Sequence, residues 1–226
     1  MNQGERLRAI ILRRTNYGEA DRILQLLTPK GRRSVIAKGV RRERSKLAGG
    51  IELFAVSDVV IRRGRGELGI LSSARLVSFY RHILEDYERM QFTYTAMKLV
   101  TKASETVDEP EWYSLLAMTL EFLDKLEVNR QLIEAWFYIQ SAYLLGEGIN
   151  LRTDAVGQPL ESDKVYMFDN IERAFRPSEQ GNIGADHIKL LRLIDSKTLE
   201  QVSQIGGIDS VIADCWLVAR QLGQEE

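Results

Sequence analysis

Eight basic side chains fall between Lys30 and Lys46: Lys30, Arg32, Arg33, Lys38, Arg41, Arg42, Arg44 and Lys46, opposed only by Glu43. A second cluster, Arg62, Arg63 and Arg65, lies among glycines. Guanidinium and ammonium groups at this density neutralise the phosphates of a polyanion and release its counterions. Few aromatic residues are interleaved, so the pattern points to backbone contacts and not to base reading. Tyr17 and Phe54 are the nearby aromatics. Phe54 reads as core, which leaves Tyr17 as the one stacking residue.

Other chemistry is poorly provided for. His82 and His187 stand far apart, and neither has a motif partner. Cys215 lies on an apolar helical stripe with Ile208, Val211, Ala219 and Leu222, and reads as a small buried residue. One cysteine and two histidines make no C-x-x-C zinc site. The run "GRGELG" lacks the Lys-Ser/Thr of a phosphate loop and the spacing of a dinucleotide fingerprint, so it reads as a hairpin turn. No catalytic residue, metal or cofactor is expected, and the chain reads as a non-enzyme.

The charge is divided unevenly. The 226 residues sum to −1, yet residues 1–80 hold 17 Lys+Arg against 7 Asp+Glu, and the remainder 14 against 25. The halves carry +10 and −11. Such asymmetry favours a polyanion partner for the first half over a merely solvated surface. No apolar run is long enough to span a bilayer, the N-terminal apolar core is too short for a signal peptide, and one cysteine makes no internal disulfide. A cytoplasmic chain with no membrane role is expected.

The elements that must position these residues differ between the halves. Residues 1–80 read as five short strands: "RLRAIILRR", "RILQLLT", "RSVIAKGV", "FAVSDVVIRR" and "ILSSARLVSF". The turn at Thr28–Gly31 and the glycines of 64–69 separate them. Full closure would remove the exposed edges, so a five-stranded OB-type barrel is the first choice and an SH3-like barrel the second. Period-2 alternation places Arg32, Ser34 and Ile36 on one face and Arg33, Val35 and Ala37 on the other. Arg41, Arg42, Arg44 and Lys46 then fall on an irregular segment, with Gly39 letting the backbone turn.

Residues 81–226 read as helices, so the class is α+β: a barrel domain over 1–80, then an all-helical domain over 81–226 with an irregular insert at 150–182. Ile83, Tyr87, Met90, Tyr94 and Met97 share one helical face and read as core. Asp108 is a plausible cap for a helix carrying Leu116, Leu120 and Leu123. "RQLIEAWFYIQSAYLL" is apolar nearly all round and belongs in the middle of a bundle. Within the insert, a hairpin over Lys164–Phe175 is expected, because a loop of that length without structure is uncommon.

These residues carry a resemblance. Tyr17-Gly18-Glu19 ahead of Asp21, the Thr28–Gly31 turn, Ala37-Lys38-Gly39-Val40-Arg41-Arg42 and Arg63-Gly64-Arg65-Gly66 keep their order over about 65 residues. In this the chain resembles the N-terminal domain of the bacterial RecO recombination-mediator family, and the remainder is similar in plan. The resemblance implies an OB-fold joined to a helical domain. It implies binding of single- and double-stranded DNA without sequence preference and annealing of complementary strands. It also implies work with RecR and with the single-strand-binding protein to help load the RecA recombinase, in the bacterial cytoplasm at the nucleoid. Many members carry a four-cysteine zinc module. Here Asp163 and Tyr166 stand roughly where a C-x-x-C would, so no structural zinc is expected.

The DNA-binding residues expected are Lys30, Arg32, Arg33, Lys38, Arg41, Arg42, Arg44, Lys46, Arg62, Arg63 and Arg65. The family's helical domain receives the acidic, apolar-ended C-terminal tail of the single-strand-binding protein, for which Arg130, Lys125, Lys102 and Lys98 are the candidates. Two other readings stay open: an OB-fold RNA-binding protein, and a scaffold whose basic patch docks an acidic protein.

Overall fold

The computed structural model describes residues 4–64, 66, 68–107 and 109–223. Alternation along the first 79 residues builds five strands: β1 (Glu5–Tyr17), β2 (Asp21–Thr28), β3 (Gly31–Ala37), β4 (Ala55–Arg62) and β5 (Gly69–Phe79). Leu7, Ala9 and Ile11 of β1, Leu24 and Leu26 of β2, Val35 and Ala37 of β3, Val59 of β4 and Leu71 of β5 all turn inward. With Val40 and Ile51 from the segment after β3 they form one buried cluster. Burial of these side chains is the main force holding the strands together.

The barrel closes in the order β1-β2-β3-β5-β4. β1 makes closure work because it is long and bulges between Ile11 and Arg13. Its first half, Glu5–Ile10, pairs with β4, and its second half, from Ile10 to Tyr17, pairs with β2. The bulge bends the strand so that one segment serves two neighbours. A short parallel seam joins β3 to β5 through Val35–Gly69 and Ile36–Ile70. A Cβ at Gly69 would stand 2.8 Å from the Ile61 side chain and 3.2 Å from that of Val35. The seam therefore has no room for a larger residue there. This closed five-stranded order is that of an OB-type barrel, so the first choice of barrel holds.

The chain divides into two compact units, Met1–Asp124 and Lys125–Glu226. The first unit contains the barrel and two helices. α1 (Tyr87–Thr106) starts at Asp86, whose carboxylate accepts from the Arg89 N–H at 3.0 Å. Its buried face is Phe92, Ala96, Met97 and Val100. The expected core stripe holds at Ile83 and Met97, which are buried, and is corrected elsewhere: Tyr87 is 70% exposed and Tyr94 48%, and Ile83 lies on a separate 3-10 turn, Arg81–Glu85. The spacing had the right period but the wrong phase, because the amphipathic tyrosines and the buried Thr93 and Ser104 mislead a hydropathy reading. α2 (Glu111–Leu123) buries Trp112, Leu116, Leu120 and Leu123. Asp108 lies outside the described residues, and Pro110 occupies the cap position.

In the second unit α3 (Arg130–Leu144) is capped by Asn129, which accepts from the Leu132 N–H. Ten of its side chains are buried, as its all-round apolarity requires. The insert forms the expected hairpin, β6 (Tyr166–Asp169) against β7 (Ala174–Pro177), paired from Tyr166–Pro177 to Asp169–Ala174. α4 (Ala185–Ser196), a single turn α5 (Leu199–Val202) and α6 (Ile212–Leu222) follow. Cys215 is fully buried, and burial pushes its thiol up to about 12. Among the described residues no helix is long and apolar enough to cross a membrane.

Candidate nucleic-acid interface

The irregular segment after β3 is tied to the barrel at both ends. At its start the Gly39 N–H donates to the Asp21 carboxylate at 2.7 Å. Gly39 sits at φ +64°, which few other residues adopt without strain. The Arg41 N–H donates to the Ala20 carbonyl at 2.9 Å, and the Arg41 guanidinium donates to the Gly18 carbonyl at 3.3 Å. At its end Arg14 holds Glu52 at 3.0 Å. The segment is thus laid across the turn between β1 and β2, and Lys38, Arg41, Arg42, Arg44 and Lys46 are exposed on it.

The second basic group surrounds a cleft of about 290 Å³. Arg33, Ser34 and Val35 of β3 line one side, Arg62 at the end of β4 with Arg63 and Gly64 after it line the other, and Glu5 of β1 also borders it. Both groups therefore lie along β3: the cleft beside Arg33–Val35, the basic segment where the strand ends at Ala37. Arg65 lies outside the described residues. Tyr17, at the end of β1, is 55% exposed.

Ion pairing separates the ten described candidates. Lys30 pairs with Glu5 at 3.0 Å, and Arg32 pairs with Glu105 at 3.2 Å. Among the described residues no carboxylate pairs with Arg33, Lys38, Arg41, Arg42, Arg44, Lys46, Arg62 or Arg63. These cations outnumber the carboxylates near them, Asp21 and Glu43 at the segment and Glu5 at the cleft, so the cluster repels itself and an external anion relieves that repulsion. Three further exposed arginines, Arg6, Arg8 and Arg75, stand on the outside of the barrel. The alternation Arg6-Leu7-Arg8 is the sequence signal for the first two.

The four candidates for a protein tail divide between the units. Lys98 and Lys102 are exposed one turn apart on α1 in the first. Lys125 and Arg130 belong to the second. Arg130 forms an ion pair with Glu134, whose side chain is 5% exposed. The other Glu134 oxygen accepts from the Trp216 indole at 2.6 Å. Arg130 thus has an internal partner at i+4 whose burial the sequence did not reveal.

The histidines brace helix ends. His82 pairs with Asp124 at 3.2 Å, and its N–H donates to the same carboxylate. His187 Nδ1 accepts from the Gly184 N–H, and Nε2 lies 3.4 Å from Asp214. Among the described residues no group of three His, Cys, Asp or Glu side chains is placed to hold a metal ion. In the insert, the turn at Asp154 is closed by its carboxylate, which accepts from the Val156 and Gln158 N–H groups. The buried Tyr166 hydroxyl accepts from the Glu161 N–H at 2.8 Å. Polar side chains close these turns.

Two family descriptions cover nearly the whole chain: "Recombination protein O N terminal" matches residues 1–80, and "Recombination protein O C terminal" matches residues 84–224. The chain is 38% identical to a DNA repair protein RecO of Roseiflexus sp. (strain RS-1) over 53% of its own length and 42% of the relative. It is 35% identical to the DNA repair protein RecO of Rubrobacter xylanophilus over 62% of its length and 57% of that protein. The DNA repair protein RecO of Leuconostoc mesenteroides is 26% identical over 90% of this chain and 77% of its own. The matches to the first two thus span about half the length of those relatives.

Proposed function

Because the chain belongs to the recombination protein O (RecO) family of DNA repair proteins, we propose that it is a non-enzymatic mediator that binds single- and double-stranded DNA and anneals complementary strands. The observation that carries this reading is the set of eight cations along β3 that have no carboxylate partner among the described residues. They sit on an OB-type barrel, flanking the strand and loops where such barrels take oligonucleotides. The contacts are to phosphates and carry no sequence preference.

Annealing follows from the same charges. Two strands repel each other through their phosphates, and a cationic surface lowers that repulsion while base pairing supplies the free energy. No bond is made or broken by the protein. In the fuller role, the chain works with RecR and engages the acidic tail of the single-strand-binding protein through its helical residues. It thereby helps the recombinase onto coated single strands in the bacterial cytoplasm, at the nucleoid. The net −11 of residues 81–226 keeps those helices away from DNA and leaves the nucleic acid to the barrel.

The test is the charge reversal Arg41→Glu, Arg42→Glu, Arg44→Glu, measured by oligonucleotide binding and strand annealing. The log–log salt slope on single strands should flatten by roughly 2, about 0.7 for each lost phosphate contact. Binding should fall equally on every sequence, and the melting temperature should change little, since all three side chains are exposed and the Arg41 bond to the Gly18 carbonyl lies at the surface. Unchanged affinity in the triple variant would remove the segment from the interface. A preference for RNA over DNA in competition would favour the RNA-binding reading.

A further inference from the structure

The barrel carries a second row of arginines on the outer face of β1, β4 and β5. Arg8 stands beside Asp58, and Asp58 beside Arg75. One step along, Arg6 stands beside Val60, and Val60 beside Ser73. One step further on β4 comes Arg62, opposite Ile70. The intervening row, Leu7–Val59–Ala74, packs into the core, which forces these side chains outward. Strand spacing and rise confine Arg6, Arg8, Arg62 and Arg75 to a patch of about 10 by 13 Å.

Asp58 is the one carboxylate in these rows. It lies 3.6 Å from Arg8 and 3.2 Å from Arg75, whose side chains are 55% and 80% exposed. A single carboxylate cannot neutralise both. Arg6 and Arg62 have no carboxylate partner among the described residues. Counted over the four arginines and Asp58, the patch therefore keeps an excess of three positive charges on a largely exposed sheet face, with Tyr113 of α2 near Arg8 and Asp58. Exposed pairs of this kind add little to stability, so folding alone does not account for four arginines here. The patch adjoins the cleft but does not coincide with it: Arg62 is the side chain common to both.

We propose that this outer face is a second phosphate-binding surface, taking the backbone of a separate DNA strand while the β3 side holds the first. The inference rests on the DNA-binding reading given above. Its added content is that one barrel holds two strands on adjoining faces meeting at the β4–β5 connection. Asp58 holds the Arg8 and Arg75 guanidinium groups on either side of one carboxylate.

The experiment uses the full chain and two non-complementary oligonucleotides, one carrying a donor dye and one an acceptor. Conditions are chosen so that sedimentation shows one chain per complex. Wild-type protein should bind the first strand and show energy transfer on adding the second. The variant Arg6→Glu, Arg75→Glu should keep first-strand affinity and lose the transfer. Its second-strand salt slope should fall by roughly 1.4 and its annealing rate by on the order of tenfold. The neutral pair Arg6→Gln, Arg75→Gln, checked by circular dichroism and melting, should be intermediate; it decides the matter by the same criterion if the Glu pair fails to fold. Transfer and annealing at wild-type levels in these variants overturn the inference. Wild-type binding of one strand with no transfer also overturns it and leaves the DNA-binding reading standing. Wild-type protein that binds no strand removes both.

Discussion

The Gly39 N–H donates to the Asp21 carboxylate at 2.7 Å, so the residue that ends the β1–β2 turn also fixes where the basic segment begins. This bond sets two effects of one substitution against each other. Asp21→Ala removes a negative charge beside a cationic loop, which by electrostatics alone would strengthen DNA binding. It also frees the loop, which weakens binding through lost preorganisation. The expected outcome is weaker DNA binding for Asp21→Ala, with about 1 kcal/mol lost from stability. Asp21→Asn keeps an acceptor and should bind at least as tightly as wild type. Titration of both variants at one salt concentration checks the order, and a tighter Asp21→Ala would show that the anchor is dispensable.

Removing Arg130 leaves Glu134 buried with its charge less compensated. Arg130→Ala should lower stability by about 2–3 kcal/mol, the usual cost of stripping a buried carboxylate of a partner. Arg130→Ala with Glu134→Gln should recover much of it. Chemical denaturation of the single and double variants is the measurement. Loss of tail-peptide binding in Arg130→Ala is interpretable only beside those curves.

Alkaline pH should destabilise the fold over a defined window. Burial pushes Tyr113 and Tyr138 from 10.0 to about 12, and Cys215 from 9.0 to about 12. In each case the folded state holds the proton more tightly than the unfolded chain does. Between those limits the unfolded state binds fewer protons, so stability falls as pH rises. Stability should be flat with respect to these groups below pH 9 and decline from about 9 to about 12. Cys215 should resist alkylation at neutral pH until denaturant is added. Rapid labelling of the folded chain would contradict its burial.

The purified chain should contain no stoichiometric zinc, and a chelator should leave its melting temperature unchanged. The motive is the set of polar turns at Asp154 and Tyr166, where hydrogen bonds do the closing. Elemental analysis giving one zinc per chain would overturn this.

The barrel was legible because its signals are local. Inward alternation in Leu7-Ala9-Ile11 and the turn residues at Thr28–Gly31 and Gly64–Gly69 each report on neighbours a few residues away. The insert hairpin was expected on a different ground, the rarity of a structureless loop of that length. Less legible was anything set by partners far apart in sequence. The i,i+4 spacing of Arg130 and Glu134 was legible, but the burial of that glutamate was not, because Trp216, which donates to it, lies 82 residues further on. The phase of α1 was misread because Thr93 and Ser104 are buried by bonding back to their own helix, at 2.8 and 2.6 Å. Nor could the arginines of β1 and β5 be grouped before β4 was placed between them.

The seam between β3 and β5 is the thinnest joint in the barrel. Two registered pairs hold it, whereas seven join β2 to β3. Its strands come from distant parts of the chain, so it carries a loop-closure cost that the hairpins avoid. It should zip last when the chain folds and open first when the native state fluctuates. Amide exchange at Ile36 and Ile70 should therefore be faster than at Leu24 or Leu26, whose ladders run further. Because the cleft lined by Arg33, Arg62 and Arg63 straddles this joint, an anion lying across it would act as a clasp, and exchange at the seam would slow in its presence.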